Sequence, residues 1–204
     1  MARMSAADRR EQLVAAAIKV MTRDGVVKAT TRAIAAEAQM PLGVFHYAFR
    51  SKAELMAVVT QTIAQQSKAE IDAATLSGET DDLHALVIAG LTAYLDHVIS
   101  HSDQHLVTYE LTTTALRDRR LGDVAKRQYD YYLEENEKLL EAVGELLGME
   151  FTEPLPVVSR YVFSVMDGLA LNWLARGDEE QAREVVALTA RTLLAMIRPR
   201  TAEA

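Results

Sequence analysis

An all-α fold of about nine helices is predicted, with a three-helix domain at the N-terminus and a longer helical domain after it. Three observations predict this fold. Apolar residues recur at intervals of three and four residues through almost every segment of the 204-residue chain, as they do along one face of a helix. Residues that favour a helix start precede these segments, and Gly or Pro follows them. Beyond Gly78 no segment alternates between apolar and polar residues, so no strand is expected there.

Four helix starts fall within the first 55 residues. Ser5, with an acidic residue three positions later, is predicted to cap the first helix, which ends at Gly25. Thr30 or Thr31 is predicted to cap a short second helix. Its end is marked by the segment 39–41, which contains a proline.

The third helix is predicted to be very short and the fourth long. Proline is tolerated in the first turn of a helix, so the third helix begins at Pro41 or Leu42 and runs to about Tyr47. The segment Ser51-Lys52-Ala53-Glu54 has the pattern of a capping box and is predicted to start the fourth helix.

Five longer helices are predicted after residue 78, each from its apolar periodicity and its flanking residues. Their expected limits are a helix that follows Thr80 and runs through Val98, then Asp103 to Leu116, Leu121 to Leu147, Pro154 to Ala175, and Asp178 to Ile197.

Charge is distributed unevenly along the chain. The net charge of the whole sequence is −7, which by itself argues against a nucleic-acid partner. Residues 1–52 nevertheless carry nine Lys or Arg and four Asp or Glu, a net charge of +5, and the remainder carries −12. Such asymmetry predicts two domains with separate functions, at residues 1–52 and 53–204.

Composition excludes several classes of protein. The chain has no cysteine, which excludes disulfide frameworks, thiolate metal sites and cysteine nucleophiles. Charged residues interrupt the N-terminus before any apolar core of a signal peptide. The apolar stretch 185–197 is shorter than the roughly 20 residues that cross a bilayer. A soluble, cytoplasmic protein with no membrane partner is therefore expected.

Two short helices joined by a tight turn on a basic segment predict a helix-turn-helix, whose second helix enters the major groove of DNA. Thr31 and Arg32, at a helix start, can donate to a phosphate, and Lys52 is a further expected phosphate contact. Phe45 and Phe49 are expected to anchor the short third helix by packing. That helix is predicted to present outward Leu42, Gly43, Val44, His46 and Tyr47.

The segment 31–55, TRAIAAEAQMPLGVFHYAFRSKAEL, resembles the N-terminal DNA-binding domain of tetracycline-repressor-like (TetR) transcriptional regulators. The resemblance covers about residues 9–56 and is carried by Ile34-Ala35, Ala38, Gly43, Tyr47, Phe49, Lys52 and Leu55. Two positions depart from the family pattern: Gln39 stands where a turn glycine is usual, and His46 where a tyrosine is usual. The resemblance implies a homodimeric, mostly repressing regulator of a palindromic operator in double-stranded DNA, released when its C-terminal domain binds a small effector.

Two C-terminal helices are apolar on more than one face, which predicts that they pack on their own core and also on a second subunit. The alternative is a helix that is buried entirely within its own domain. Ser164 and Gly168 would permit a close approach of the two subunits. The predicted interface consists of Val157, Tyr161, Ser164, Gly168, Leu171, Val185, Leu188, Thr192 and Met196.

An effector pocket is predicted in the middle helices, where aromatic and hydroxyl residues stand among aliphatic ones. Such a pocket would suit an apolar or aromatic small molecule, and the alternative is that most of these residues belong to the core. The candidate residues are Tyr94, His97, Tyr109, Thr112, Thr113, Tyr129, Tyr132, Phe163, Met166, Asp167 and Trp173.

His97, His101 and His105 are spaced by four residues, and two histidines on one helical face can chelate zinc. A helix end is expected between Ser100 and Asp103, and nothing in the sequence completes a metal site, so neither a metal nor a cofactor is predicted. The chain has no Gly-rich phosphate loop and no Gly-x-Ser-x-Gly elbow, so no enzyme is predicted. Two alternatives stay open: a helical metal-binding protein or enzyme that uses His97 and His101, and a regulator that acts through a protein partner.

Overall fold

The computed structural model describes residues 5–76 and 82–200. Within these ranges the chain forms nine α-helices, a short 3-10 helix and two short strands. The helices are α1 (Ala6–Asp24), α2 (Thr31–Glu37), α3 (Leu42–Ala48), α4 (Lys52–Leu76), α5 (Leu83–Ser100), α6 (Ser102–Arg117), α7 (Val124–Leu147), α8 (Leu155–Arg176) and α9 (Glu179–Leu194). The all-α fold with about nine helices is therefore confirmed.

The described residues form two compact units, which do not follow the chain in simple order. The first combines the residues up to Gln66 with Asp103–Gln128, and the second combines Ser67–Ser102 with the residues from Tyr129 onward. Helices α4 and α7 each contribute to both units. The predicted functional division at residue 52 does not coincide with this division by packing, and it stays a prediction.

The core of the first unit explains how a seven-residue helix such as α3 can be stable. Phe45 and Phe49 are each 1% exposed, and they join the cluster formed by Leu13, Ile34 and Leu55 from the neighbouring helices. Burying large apolar side chains supplies the stability that so short a helix lacks by itself. The predicted packing role of the two phenylalanines is confirmed.

The core of the second unit lies among α5, α8 and α9. Leu95, Val158 and Val186 are buried there together. By length and composition alone α5 could cross a bilayer, since its 18 residues have a mean hydropathy of 1.4. Its packing against α8 and α9 gives these apolar residues a place in the core of the unit.

The prediction that no strand follows residue 78 was wrong. Strand β1 (Met149–Phe151) pairs antiparallel with β2 (Ile197–Pro199), with Met149 opposite Pro199 and Phe151 opposite Ile197. Helix α9 consequently ends at Leu194, three residues before its predicted end. Strands of three residues are too short to generate a visible alternation, and their pairing joins positions almost 50 residues apart.

Most predicted helix limits agree with the structure to within a few residues. Ser5 caps α1 with both hydrogen bonds of a capping box, and Thr30 caps α2. Helix α7 begins at Val124, later than predicted, because a 3-10 turn occupies Arg119–Leu121. Thr80, which was predicted to precede the fifth helix, lies outside the described residues, and the side chain of Asp82 caps α5 by accepting from the amide of His84.

Candidate nucleic-acid interface and effector site

The turn between α2 and α3 is closed by two backbone hydrogen bonds. The amide of Met40 donates to the carbonyl of Ala35 at 2.9 Å, and the amide of Gln39 donates to that of Ala36 at 3.0 Å. This pair of bonds is the Schellman motif, which satisfies the last carbonyls of a helix and reverses the chain. Helix α3 can therefore start at Leu42, immediately after Pro41.

Gln39 occupies the position in this motif that favours glycine. Its φ is 55°, and it is the only residue other than glycine with a positive φ in the described part of the chain. A side chain with a Cβ atom pays roughly 1–2 kcal/mol in this left-handed conformation. The departure from the family pattern at Gln39 thus preserves the turn at a cost in stability.

Helix α3 presents a narrower outward face than predicted. Tyr47 is 95% exposed, and His46 and Gly43 are also exposed. A Cβ at Gly43 would have no neighbour within 4 Å, so this position is open to close approach. Leu42 and Val44 were predicted to point outward as well, but both are half-buried because they pack against the core of the first unit.

Arg10 holds the C-terminal end of α3 in place, a role that was not predicted. Its guanidinium lies 4.2 Å from the centre of the Phe49 ring and donates to the carbonyl of Ala48 and, at 2.8 Å, to Glu54. These partners are about 40 residues from Arg10 along the chain, so no local pattern indicates them. Helices α1, α3 and α4 are joined at this one side chain.

Glu54 has a different partner from the one its capping box predicts. The hydroxyl of Ser51 accepts from the amide of Glu54 at 3.1 Å, as expected. The carboxylate of Glu54 instead accepts from the amide of Arg50 at 2.9 Å and from Arg10. The bond from Arg50, followed by the bond from Arg10, lowers the pKa of Glu54.

Three predicted phosphate contacts lie at helix starts in the first unit. Thr31 and Arg32 open α2, and Lys52 opens α4. Within the described ranges neither Arg32 nor Lys52 has a carboxylate at ion-pair distance. Partial burial lowers the pKa of Lys52, since the ammonium is partly withdrawn from water. Both cations are thus available to an external anion.

Glu110 of α6 binds the loop between α1 and α2. Its carboxylate accepts from the amide of Val26 at 2.7 Å, and a Cβ placed on Gly25 would lie 3.4 Å from the same oxygen. Sequence reasoning did not identify this residue, because the two ends of the bond are 84 positions apart. A helix of the predicted C-terminal domain is therefore bonded directly to the segment that leads into α2.

Five of the predicted effector residues lie together in the second unit: Tyr94, Tyr129, Tyr132, Phe163 and Asp167. The hydroxyl of Tyr129 donates to Asp167 at 3.2 Å. The ring of Phe163 lies 5.4 Å from that of Tyr129 and 5.7 Å from that of Tyr132, between ring centres. Burial and the charge of Asp167 raise the pKa of Tyr129 to about 12, and the same causes raise the pKa of Tyr94. We call these five residues the tyrosine cluster.

The structure places the other predicted effector residues in different surroundings. Met166 is a buried member of the second core. Trp173 lines a groove of about 390 Å³ between α8 and α9. Tyr109, Thr112 and Thr113 stand on α6 in the first unit. The hydroxyl of Thr112 is buried and bonded to Gln128, as the alternative of a core role predicts.

His97 belongs to a separate cluster, with His101 and Glu70. The carboxylate of Glu70 lies 3.3 Å from Nδ1 of His97 and 3.5 Å from Nε2 of His101. Burial, then repulsion from His101, lowers the pKa of His97, and Glu70 acts in the opposite direction. The predicted helix end is confirmed, since α5 stops at Ser100. The acidic member of this cluster, Glu70, comes from α4, and the spacing of the histidines in the sequence did not indicate it.

The two-faced pattern of α8 and α9 corresponds to one buried and one accessible face. Val158, Val162 and Leu169 are buried, whereas Val157 and Leu171 are more than half exposed. Each residue of the predicted interface is exposed or half-buried in the single chain. The alternative of a helix buried entirely within its own domain does not describe α8.

Two family models match the chain. Residues 13–59 match the model of the tetR family of bacterial regulatory proteins. Residues 82–196, more than half of the chain, match the model of the tetracyclin repressor-like C-terminal domain.

Individual proteins resemble the chain over most of its length. The HTH-type nicotine-responsive transcriptional repressor HdnoR of Paenarthrobacter nicotinovorans is 31% identical over 183 residues, which are 90% of this chain and 92% of that protein. The multidrug binding protein EbrR, solved with ethidium, is 30% identical with a TM-score of 0.64, over 89% of this chain and 98% of that one. A putative TetR-family regulator from Mesorhizobium loti MAFF303099 shares the fold at 14% identity, with a TM-score of 0.77 over 96% and 99% of the two chains.

Proposed function

The chain belongs to the TetR family of bacterial transcriptional regulators, and from this premise we propose that it is a cytoplasmic repressor released from DNA by an aromatic effector. It binds a palindromic operator as a homodimer. The observation that carries this proposal is the helix-turn-helix at α2 and α3, which exposes Tyr47 and His46 on a basic segment in an otherwise acidic chain.

Each subunit places α3 in one major groove. Gly43, His46 and Tyr47 face the bases, because they are the exposed residues of that helix. Thr31, Arg32 and Lys52 bind phosphates on either side and fix the position of α3. Leu42 and Val44 contribute through the half of each side chain that remains accessible.

The test is selection of binding sequences from a random pool of DNA duplexes, followed by measured affinities for the enriched duplex. The enriched sequences should contain an inverted repeat, with half-site centres about one helical turn or slightly more apart. A pool that shows no enrichment would contradict DNA recognition and would favour a regulator that acts through a protein partner.

Lys52 provides a sharper test of the phosphate contacts. Lys52→Ala should reduce the slope of log affinity against log salt by about 1 for each subunit, since one phosphate contact releases about one counterion. Lys19→Ala, on an exposed face of α1, is the control and should leave the slope unchanged. Equal slopes for Lys52→Ala and the unaltered chain would remove Lys52 from the interface.

The accessible face of α8 and α9 supports the homodimer. Val157, Leu171 and Leu188 expose apolar surface on this face, and Ser164 and Gly168 leave room for a close approach of a second copy. A two-fold axis would bring the same two helices of both subunits together as a four-helix interface. Such an arrangement covers the face on both chains at once.

The tyrosine cluster supports an aromatic effector that carries a positive charge. Aromatic rings from Tyr129, Tyr132 and Phe163 can stack on a flat ligand or lie against a cation. The carboxylate of Asp167 would pair with a charged nitrogen. HdnoR is nicotine-responsive by name and EbrR was solved with ethidium, so nicotine and ethidium are suitable first probes.

A thermal-shift measurement tests this effector class. A ligand that binds the native state raises the melting temperature by mass action. Nicotine or ethidium should raise it for the unaltered chain and less for Asp167→Asn, which keeps the shape and removes the charge. Equal shifts for both proteins would exclude Asp167 as the partner of the cation.

Release from DNA would be transmitted through α4. This helix begins at Lys52 in the first unit and ends at Leu76 in the second. An effector that displaces its second half would therefore also move Lys52 and change the separation of the two α3 helices in the dimer. The effector must bind the non-operator state more tightly, since equal affinity for both states shifts no population.

A further inference from the structure

Three possible metal ligands meet where α4 lies beside α5 in the second unit. Glu70 comes from α4, His97 comes from the last turn of α5, and His101 is the residue that follows α5 at its C-terminal end. One ligand atom of each lies within 4.8 Å of the others. None of these side chains belongs to the tyrosine cluster or to the residues proposed to bind DNA.

The two distances from Glu70 to the histidines match those of a tetrahedral metal site. Metal–ligand bonds of about 2.05 Å in a tetrahedron place neighbouring ligand atoms roughly 3.3 Å apart. The oxygen of Glu70 lies 3.3 Å from His97 Nδ1 and 3.5 Å from His101 Nε2. The two imidazoles are stacked with an angle of 25° between their planes, so coordination requires each ring to turn about χ2, a rotation that is soft for histidine.

The hydrogen bonding of His101 prepares it as a ligand. Its Nδ1 lies 3.3 Å from the carbonyl oxygen of His97, a contact in which the ring nitrogen can only donate. A neutral ring with its proton on Nδ1 has its lone pair on Nε2, the nitrogen that lies 3.5 Å from Glu70. Metal-bound histidines in proteins are commonly fixed in this way by a carbonyl on the second ring nitrogen.

We propose that Glu70, His97 and His101 form a binding site for a divalent transition metal of the zinc type, with the fourth position open to water or to another ligand. Two imidazoles and one carboxylate suit Zn²⁺ and its neighbours, whereas Mg²⁺ and Ca²⁺ prefer oxygen ligands alone. A bound ion would fasten the second half of α4 to α5. The site would thus supply an input to the regulator separate from the aromatic effector.

The test is direct metal binding by the full chain, freed of any histidine tag and treated with a chelator. Calorimetric titration with Zn²⁺ should give one ion per chain, and Co²⁺ should develop the visible absorption of a tetrahedral site. Mg²⁺ should give neither signal. The measurement uses no DNA and no effector, so its outcome is independent of the proposed repressor function.

Variants assign the ligands. His97 is buried, so Glu70→Gln and His101→Ala, which alter more accessible side chains, carry the test. Each should weaken Zn²⁺ binding by more than about tenfold, since even outer-shell partners of a metal contribute that much. His84→Ala, at an exposed histidine of the same helix, is the matched control and should bind as the unaltered chain does. Failure of the unaltered chain to bind Zn²⁺, or equal binding by all the variants, would overturn the proposal.

Discussion

Gln39 adopts a backbone conformation that is unfavourable for a residue with a Cβ atom. The Schellman motif after α2 requires a left-handed residue, and a glutamine fills it with φ of 55°. The bonds of Met40 and Gln39 to the end of α2 hold this conformation. A glycine would adopt it without the steric cost of a Cβ atom.

Gln39→Gly should therefore increase the free energy of unfolding by up to about 1 kcal/mol, after the entropy that glycine loses on folding is subtracted. Urea denaturation followed by circular dichroism measures the change. Gln39→Ala keeps the Cβ atom and should give no such gain. A glycine variant no more stable than the alanine variant would show that the turn carries little strain.

The exposure of Tyr47 allows its role in DNA binding to be tested without a change in the stability of the fold. It is 95% exposed on α3, so its ring contributes little to the core of the chain. Tyr47→Ala should weaken operator binding by roughly tenfold or more while the melting temperature stays unchanged. Fluorescence anisotropy with the selected duplex measures the affinity. Leu116→Ala, at a residue that is 74% exposed on α6, is the control, and an equal loss in both variants would contradict a specific contact by Tyr47.

At the scale of elements, the sequence patterns used for prediction are local, and the features that they predicted correctly are local too. The caps at Ser5 and Thr30 and the glycine stop at Gly25 act within one turn of a helix, and each lies where it was predicted. Contacts between distant elements leave no such pattern. The two strands, the bond from Glu110 to the loop before α2, and the position of Glu70 beside the histidines could not be predicted for this reason.

The contacts of Arg10 with Phe49, Ala48 and Glu54 predict that Arg10 positions α3 for DNA binding. Arg10→Lys keeps the charge but loses the stacking on Phe49 and the fork that reaches Ala48 and Glu54 together. Operator affinity should fall, because α3 is held less firmly, and the free energy of unfolding should drop by about 1 kcal/mol. The net charge is unchanged, so a loss of affinity cannot come from weaker attraction to phosphates. Affinity equal to that of the unaltered chain would show that Arg10 does not position α3.

The bonds of Glu54 to Arg50 and Arg10 predict that the stability of the chain depends on pH. The pKa of Glu54 is lowered by its bonds to Arg50 and Arg10, so Glu54 stabilises the fold above its ordinary pKa near 4.3. That contribution disappears as the pH falls through the lowered pKa and the carboxylate becomes protonated. Between pH 5 and pH 3, as round limits on either side of that value, the melting temperature should fall less for Glu54→Gln than for the unaltered chain. An equal fall in melting temperature for the two proteins would show that Glu54 does not cause the loss of stability at low pH.

At the scale of the whole molecule, the distribution of charge and the accessible face of α8 and α9 would both serve DNA recognition by a dimer. Residues 1–52 carry a net charge of +5 and the rest of the chain −12, and a dimer doubles both. The acidic part would repel DNA from every surface except the paired helix-turn-helix domains. A palindrome is recognised tightly only when both domains bind together, so the proposed function would depend on the proposed dimer face.

Leu171→Glu tests that dependence. Leu171 is more than half exposed in the single chain, so a glutamate there leaves the fold of the subunit intact, but dimerisation would bury its charge without a partner. Analytical ultracentrifugation should detect a dimer for the unaltered chain and a monomer for the variant, with unchanged helical circular dichroism. Affinity for the full palindrome should fall to that of a single half-site. Leu116→Glu places the same charge on α6 and should remain dimeric, and a dimer in both variants would mean that α8 does not form the interface.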